Sequence, residues 1–212
     1  MSHVRIPGEA GLELVGILDE KPDAPGVVVC HPHPAFGGRM STPLVVALHE
    51  ALVQVGFTTL RFNFRGLDGS TGTPTGGLAE SDDVVAAVAY LRQRAPSVAL
   101  VGYSFGALMA ARAVAAGVEV MSLVAVGFPT TILGDDAERL AEVDRALARD
   151  RPTLFLQGDQ DQFCRLSQID AWRQRHAEVT VDTVAGMGHF PVGLHEAYVA
   201  ERVASFTRVA VG

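Results

Sequence analysis

Short, continuous apolar runs alternate with amphipathic segments along most of this chain, and no other feature limits its fold as strongly. The runs cover residues 26–30, 58–64, 98–101, 120–126, 153–156 and 179–184. Such runs are typical of strands that are buried on both faces. Parallel strands need a crossover connection between them, which is usually a helix. The alternation therefore predicts a mostly parallel sheet with helices on both of its faces.

The segments between the runs have helical spacing. Apolar residues recur every three or four positions over 44–55, which places them on one face of a helix. Ser81, Asp82 and Asp83 offer capping oxygens at the start of the next helix. The further helices are predicted over residues 84–91, 107–116, 135–149, 166–176 and 194–209.

The first twenty residues differ from the rest. Residues 4–6 and 12–18 are short apolar arms joined by 7–11, a segment rich in turn formers, and they predict an antiparallel hairpin. The fold class predicted from the whole pattern is α/β: a mostly parallel central sheet, an N-terminal antiparallel hairpin and helices on both faces.

Composition and charge exclude several classes of protein. With 48% apolar and 19% charged residues the chain has a globular balance, so we predict one domain over residues 1–212. The formal net charge is −7 and basic residues do not cluster, which argues against a nucleic-acid partner. Neither a signal peptide nor a stretch of ~18 apolar residues is present, so we expect a cytoplasmic monomer or homodimer without a membrane partner.

Gly102-Tyr103-Ser104-Phe105-Gly106 has the G-x-S-x-G pattern between an apolar run and a helix-forming segment. A serine on such a tight strand-to-helix turn, a nucleophile elbow, projects its hydroxyl from the edge of the sheet, and glycines on both sides avoid clashes of Cβ atoms. The following helix directs its positive end at the oxyanion formed on attack. Ser104 is therefore the candidate nucleophile; the alternative is an ordinary glycine-rich turn.

A serine nucleophile needs a base, and the base needs a carboxylate that orients it. His189 follows the run 179–184, and Asp159 and Asp161 follow the run 153–156, so all three lie at the carboxyl ends of predicted strands, as Ser104 does. Binding sites of open α/β sheets lie along that edge. We predict a catalytic triad of Ser104, Asp161 and His189, and interpret Asp159 as a turn-capping residue that competes for the acid role.

Acyl transfer also needs two amide donors, an oxyanion hole. The first is predicted to be the backbone N–H of Phe105, just past the nucleophile. The second is expected in His31-Pro32-His33-Pro34-Ala35-Phe36-Gly37-Gly38, which follows the run 26–30. Because proline has no N–H, the candidates are His33 and, as a reserve, Ala35.

Neither the histidines nor the cysteines predict a metal or cofactor. His31 and His33 have suitable ligand chemistry, but prolines stiffen their loop and no third ligand has a recognisable spacing. Cys30 lies inside an apolar run and Cys164 in a polar loop, so both are predicted to be free thiols.

Taken together these residues resemble the compact, lidless α/β-hydrolases related to dienelactone hydrolase and small bacterial carboxylesterases. The motifs that carry the resemblance are His31-Pro32-His33-Pro34, Gly37-Gly38, Arg61-Phe62-Asn63-Phe64-Arg65-Gly66, Gly102-Tyr103-Ser104-Phe105-Gly106, Gly158-Asp159-Gln160-Asp161 and Gly188-His189. The resemblance implies a triad at Ser104, Asp161 and His189, no cofactor, and activity on esters or thioesters with small acyl groups. One departure is Asp68, at a turn where relatives often carry glycine.

The segment 129–151, where larger relatives insert a cap, has room for only one helix. An open, shallow site is therefore predicted, which argues against long-chain lipid substrates. A small apolar acyl site is predicted at the rim from four loop aromatics: Phe36, Phe128, Phe163 and Phe190. For the glycine-rich loop 66–77 two interpretations remain: a flexible lid over the site or a connector between its neighbours. Arg65, directly before the loop, could bind a substrate carboxylate or anchor the loop.

These observations predict a carboxylesterase-like serine hydrolase that forms an acyl-enzyme. A serine peptidase or acyltransferase would use the same triad. A binding protein that retains the fold without catalysis is the remaining alternative, because one fold can serve unrelated functions.

Overall fold

The computed structural model describes residues 1–211 and contains one eight-stranded sheet. The strands are β1 Ser2–Pro7, β2 Glu13–Asp19, β3 Gly26–Cys30, β4 Thr58–Phe62, β5 Val98–Tyr103, β6 Leu123–Val126, β7 Thr153–Gly158 and β8 Val179–Val184. Their order across the sheet is β1-β2-β4-β3-β5-β6-β7-β8. β1 and β2 form the antiparallel hairpin and β2 pairs antiparallel with β4, whereas the remaining pairs are parallel. The predicted fold class is confirmed.

The helices connect the strands and cover the sheet. They are α1 Pro43–Gln54, α2 Glu80–Arg92, α3 Phe105–Ala115, α4 Ala137–Leu147, α5 Leu166–Arg175 and α6 Leu194–Val211. Short 3₁₀ turns occur at Glu9–Gly11, Pro34–Phe36 and Thr130–Ile132. None of the helices in residues 1–211 is both long and apolar enough to cross a membrane.

Two hydrophobic clusters lie on opposite faces of the sheet. On β3, Val28 contributes to the cluster beneath α2, α3, α4 and α5, whereas Val27 and Val29 contribute to the cluster beneath α1 and α6. Successive side chains of a strand point to opposite faces, so a strand covered on both sides needs apolar residues at every position. This arrangement explains why the strands have continuous apolar sequences.

The predicted cap of α2 is wrong. Ser81, Asp82 and Asp83 lie inside the helix, and the N-cap position is Ala79, whose side chain makes no capping bond. Asp83 forms a tertiary contact instead: it is buried and accepts hydrogen bonds from the backbone N–H and guanidinium of Arg65. Local capping patterns therefore identified the right helix but gave its acidic residues the wrong partners.

Arg65 and Glu80 fix the glycine-rich loop. Arg65 is bound to Asp83, so the loop-anchoring alternative is the one that the structure supports. The buried carboxylate of Glu80 accepts the backbone N–H of Thr75 at 2.6 Å and that of Gly77 at 2.7 Å. Arg112 of α3 donates to the carbonyl oxygen of Gly77 at 2.6 Å. The loop is thereby held against α2 and α3.

Asp68 has a backbone φ of 42°, in the left-handed region that glycine adopts most easily. Aspartate tolerates this region better than most residues, and here its carboxylate accepts a hydrogen bond from Arg39 at 3.2 Å. The departure from glycine at this position therefore keeps the conformation of the turn.

Both cysteines are free, as predicted. Burial raises the pKa of the Cys30 thiol far above its ordinary value. Burial, with Asp161 nearby, raises the pKa of Cys164 to about 12. Neither residue has the thiolate character of a reactive cysteine.

Candidate active site

Three loops meet at the carboxyl ends of β5, β7 and β8. The Ser104 hydroxyl donates a hydrogen bond to Nε2 of His189 at 2.8 Å. Nδ1 of His189 donates to Oδ2 of Asp161, also at 2.8 Å. The side chains of His189 and Asp161 are only 5% and 1% exposed, so this relay is shielded from bulk water. The structure brings together the three residues that the sequence predicted as a triad.

Ser104 occupies a strained turn between β5 and α3. Its φ of 54° and ψ of −116° are unfavourable for a residue with a Cβ atom. The surroundings hold it there, since its backbone N–H donates to Val126 at 2.8 Å. A Cβ atom at Gly102 would lie 2.4 Å from the Ala107 Cα, and one at Gly106 would lie 2.4 Å from the Cys30 carbonyl oxygen. Both glycines of the motif are therefore required by close backbone approach.

The two aspartates after β7 have different partners. Asp161 uses Oδ2 for His189 and accepts the Phe163 N–H with Oδ1 at 2.8 Å. Asp159 accepts the N–H of Gly186 at 2.8 Å, in the loop that leads from β8 to His189. Asp161 therefore has the geometry of a carboxylate that orients the imidazole, and Asp159 has the geometry of a turn cap.

Sequence reasoning missed the role of Tyr103. Ser104 and Asp161 bind the ring of His189, and Tyr103 binds its backbone. The Tyr103 hydroxyl donates to the backbone carbonyl of His189 at 2.8 Å. Burial, with a contribution from Asp161, raises the pKa of Tyr103 above its ordinary value, so the phenol remains a donor. Tyr103 occupies a variable position of G-x-S-x-G, and only its place beside the nucleophile gave any indication of this contact.

In the loop after β3, the amide of His33 is available for an oxyanion. The N–H of Ala35 donates to the ring of His33, and those of Phe36 and Gly38 donate to the His33 carbonyl. Within residues 1–211, the backbone N–H of His33 has no acceptor. On the other side of Ser104, the first amides of α3 have no acceptor within their helix, and that of Phe105 is one of them. The rings of His33 and Phe105 lie 4.6 Å apart, and both residues line the pocket that contains Ser104.

His31 is fully buried behind this loop. Its Nδ1 lies 2.6 Å from the Pro32 carbonyl oxygen, and its Nε2 accepts the Phe64 N–H at 3.1 Å. Burial lowers the pKa of His31 to about 4, although the hydrogen bond with Pro32 opposes this shift, so the ring is neutral at neutral pH. Both ring nitrogens bind backbone groups, which leaves no lone pair for a metal ion. No cluster of three or more His, Cys, Asp and Glu side chains in residues 1–211 is arranged to hold one.

A pocket of about 200 Å³ opens in front of Ser104. Its walls are mostly apolar and comprise Pro32, His33, Phe36, Gly38, Phe105, Pro129, Ile132, Phe163, His189 and Phe190. Three of the four predicted rim aromatics line it. Pro129 and Ile132 were missed, although they begin the segment where larger relatives carry a cap.

The prediction that Phe128 lies at the rim is wrong. Its side chain is fully buried and packs edge-to-face against Phe155 at 5.4 Å and Trp172 at 5.9 Å. Phe128 follows Gly127, whose φ of 57° turns the chain after β6. The ring consequently belongs to the core beneath α5 and not to the pocket.

The single helix of the segment 129–151 leaves the pocket open. α4 packs beside α3, where Arg112 donates to Glu142 at 2.9 Å. Only the start of the segment, at Pro129 and Ile132, reaches the pocket wall. The helix therefore lies beside the nucleophile helix instead of forming a cap.

A mostly parallel sheet that presents a strained serine after its central strand defines the α/β-hydrolase class. Residues 25–192 match the family model described as "Alpha/beta hydrolase domain", and the chain belongs to this family. The predicted kinship with lidless α/β-hydrolases is thereby confirmed.

Similar proteins cover most of the chain. "Uncharacterized protein RP471" of Rickettsia prowazekii (strain Madrid E) is 32% identical over 179 residues, 80% of this chain and 73% of that protein. An alpha-beta serine hydrolase homologue from Coxiella burnetii is 26% identical, with a TM-score of 0.78 over 96% of both chains. XC6422 from Xanthomonas campestris, described as a serine hydrolase without lid, is 26% identical, with a TM-score of 0.78 over 98% of this chain and 94% of that chain. These likenesses support a hydrolase.

Proposed function

We propose that this protein hydrolyses carboxylic esters or thioesters with small acyl groups through an acyl-enzyme on Ser104. The observation that carries the proposal is the pair of 2.8 Å hydrogen bonds that join the hydroxyl of Ser104, the imidazole of His189 and the carboxylate of Asp161. A hydroxyl, an imidazole and a carboxylate in this order form the arrangement that activates a serine for acyl transfer.

In the acylation step, Oγ of Ser104 attacks the substrate carbonyl carbon while Nε2 of His189 takes the hydroxyl proton. Asp161 stabilises the imidazolium that results. The carbonyl oxygen becomes an oxyanion, and the N–H groups of Phe105 and His33 donate to it, supported by the positive end of α3. When the tetrahedral intermediate collapses, the bond to the leaving group breaks and Nε2 gives its proton to the alcohol or thiol.

Deacylation repeats these steps with water. Nε2 of His189 removes a proton from water, and the resulting hydroxide equivalent attacks the acyl carbon. The second tetrahedral intermediate collapses, the bond to Oγ of Ser104 breaks, and the proton returns to that oxygen. A carboxylic acid leaves and the free serine is restored.

The pocket supports a small acyl group as the substrate moiety. Its volume is about 200 Å³, below the range of about 300–1,000 Å³ that drug-sized ligands occupy. Phe36, Phe163 and Phe190 offer apolar contacts to an acyl chain, and no cap extends them. The matching substrate is a short, apolar acyl ester or thioester.

A substrate panel tests the proposal. We expect turnover of p-nitrophenyl esters and thioesters with short acyl chains, lower turnover as the chain lengthens, and little cleavage of aminoacyl amides. Ser104→Ala should lower kcat at least ~10⁴-fold, whereas Ser205→Ala, on the exposed side of α6, should leave it unchanged. Equal hydrolysis by Ser104→Ala contradicts the proposal, preferred cleavage of amides favours a peptidase, and no turnover of any substrate favours a binding protein.

A further inference from the structure

His31 is a buried part of the histidine-proline motif that does not line the pocket. It follows β3 directly, is 0% exposed, and packs edge-to-face against the ring of Phe64 at 4.7 Å. A fully buried imidazole is costly unless its polar atoms are satisfied. Its two hydrogen bonds therefore show what this side chain does in the fold.

The two contacts determine which nitrogen carries the proton. A carbonyl oxygen only accepts, so Nδ1, 2.6 Å from the Pro32 oxygen, must donate. A backbone N–H only donates, so Nε2, 3.1 Å from the Phe64 nitrogen, must accept. The ring is thus the neutral Nδ1–H tautomer, held between the loop after β3 and the end of β4.

The Pro32 carbonyl and the His33 N–H belong to the same peptide unit. In a planar trans peptide the C=O and N–H bonds point in opposite directions. A side chain that fixes the direction of the carbonyl therefore also fixes the direction of the N–H. Hydrogen bonding at the carbonyl polarises the peptide as well, which strengthens donation from the N–H end.

Backbone contacts also hold this peptide unit and the one that follows it. A Cβ atom at Gly38 would lie only 2.1 Å from the Pro32 oxygen, so the backbone of Gly38 packs directly against this carbonyl. The next peptide unit, His33–Pro34, is held as well, because the His33 carbonyl accepts the N–H groups of Phe36 and Gly38, both at 3.1 Å. The Pro32–His33 peptide is therefore restrained at its carbonyl by His31 and by the backbone of Gly38, and His31 provides its only side-chain hydrogen bond within residues 1–211.

We propose that His31 is a positioning residue, which orients the His33 N–H towards the oxyanion by holding the Pro32 carbonyl. This inference rests on the proposed function, in which the His33 N–H is one of the two oxyanion donors. His31 touches neither the substrate nor the reacting atoms. Its effect belongs to the transition state, because the oxyanion exists there and not in the bound substrate.

Two substitutions separate the hydrogen bonds of His31. In His31→Asn the side-chain nitrogen can replace Nδ1 and still donate to Pro32, but the contact with Phe64 is lost. In His31→Gln the side-chain oxygen can replace Nε2 and still accept from Phe64, but the contact with Pro32 is lost. Each variant loses one hydrogen bond of the buried ring, so the pair is matched for its effect on folding.

The test measures kcat and KM for a short-chain p-nitrophenyl ester together with the thermal midpoint of each variant. We expect both midpoints to fall. His31→Gln should lower kcat about tenfold with little change in KM, whereas His31→Asn should keep kcat within about twofold of the unsubstituted chain. Equal kcat values in the two variants, or a lower kcat in His31→Asn, overturn the inference.

A second measurement keeps the inference testable if neither variant folds. The ¹⁵N chemical shifts of the His31 ring in the unsubstituted protein report its tautomer, and we expect a protonated Nδ1 and an unprotonated Nε2. The neutral Nε2–H tautomer would overturn the inference, because its unprotonated Nδ1 cannot donate to Pro32. If the unsubstituted chain hydrolyses no ester or thioester, the proposed function fails and this inference fails with it. If it does hydrolyse them and Ser104→Ala does not, the His31 variants test this inference alone.

Discussion

The candidate site has two parts that differ in burial: the catalytic triad, called the floor below, and the aromatic side chains around the pocket, called the rim. On the floor, Ser104, His189 and Asp161 are buried and joined by hydrogen bonds of 2.8 Å. On the rim, Phe36 and Phe190 are 85% and 64% exposed. The contrast teaches that strand ends and backbone contacts fix the positions of the triad residues, whereas the proposed acyl site depends on exposed side chains. Changes to the floor should therefore alter kcat, and changes to the rim should alter KM.

The strongest test of the floor compares the two aspartates that follow β7. We expect Asp161→Asn to lower kcat about 10³–10⁴-fold, because an amide cannot stabilise the imidazolium and favours the wrong tautomer of His189. Asp159→Asn keeps an oxygen for the Gly186 N–H and should change kcat less than about threefold. Steady-state kinetics on one short-chain ester measures both. The opposite order would transfer the acid role to Asp159.

Removing a phenyl ring should distinguish the core from the rim. Phe128→Ala should lower the free energy of unfolding by about 3–5 kcal/mol, because the ring is enclosed by Phe155 and Trp172. Phe36→Ala should change it by less than about 0.5 kcal/mol, since that ring is mostly solvated. Urea unfolding monitored by circular dichroism checks both values. Similar losses in the two variants would show that the boundary between core and rim is misplaced.

Tyr103→Phe tests whether the Tyr103 hydroxyl helps to position His189. The change removes the hydroxyl that donates to the His189 carbonyl at 2.8 Å and keeps the ring. A hydrogen bond of this kind contributes about 1 kcal/mol, so kcat should fall about fivefold while KM stays nearly constant. Tyr198→Phe, at a half-exposed site on α6, is the matched control and should behave as the unsubstituted chain. An unchanged kcat in Tyr103→Phe would remove Tyr103 from the support of His189.

The smallest effects are expected on the rim. Phe190→Ala should raise KM two- to fivefold for a butyryl ester and less for an acetyl ester, because the lost contact is with the acyl chain. Its kcat should remain within about twofold of the unsubstituted chain. A fall in kcat with KM constant would mean that Phe190, whose ring lies 5.0 Å from that of His189, supports the floor instead.

The sequence predicted the residues of the floor because short local patterns, namely strand ends and a glycine-rich turn, indicate their positions. Each candidate residue follows an apolar run, and the carboxyl ends of parallel strands necessarily share one edge of the sheet. The glycines at positions 102 and 106 likewise indicated the strained turn at Ser104, because any residue with a Cβ atom there would clash with the backbone. The exact strand ends were predicted less accurately. The run 58–64 is longer than β4, which ends at Phe62, and the run 120–126 is longer than β6, which starts at Leu123.

The remaining contacts depend on tertiary packing that a sequence pattern does not contain. Phe128 has the same loop setting as Phe163, yet one ring enters the core and the other lines the pocket. Asp83 has the sequence position of a helix cap, but in the structure its carboxylate binds Arg65 and not the first amides of the helix. The hydrogen bond from Tyr103 to His189 joins residues 86 positions apart. Such choices follow from the direction of each side chain after folding.

The most direct test of the central claim, that His189 and Asp161 activate Ser104, is mass spectrometry of the protein after treatment with a fluorophosphonate. We predict one adduct per chain on the peptide that contains Ser104, no adduct in Ser104→Ala, and much slower labelling of His189→Ala. An adduct on another serine, or labelling of His189→Ala at the unsubstituted rate, would contradict the account.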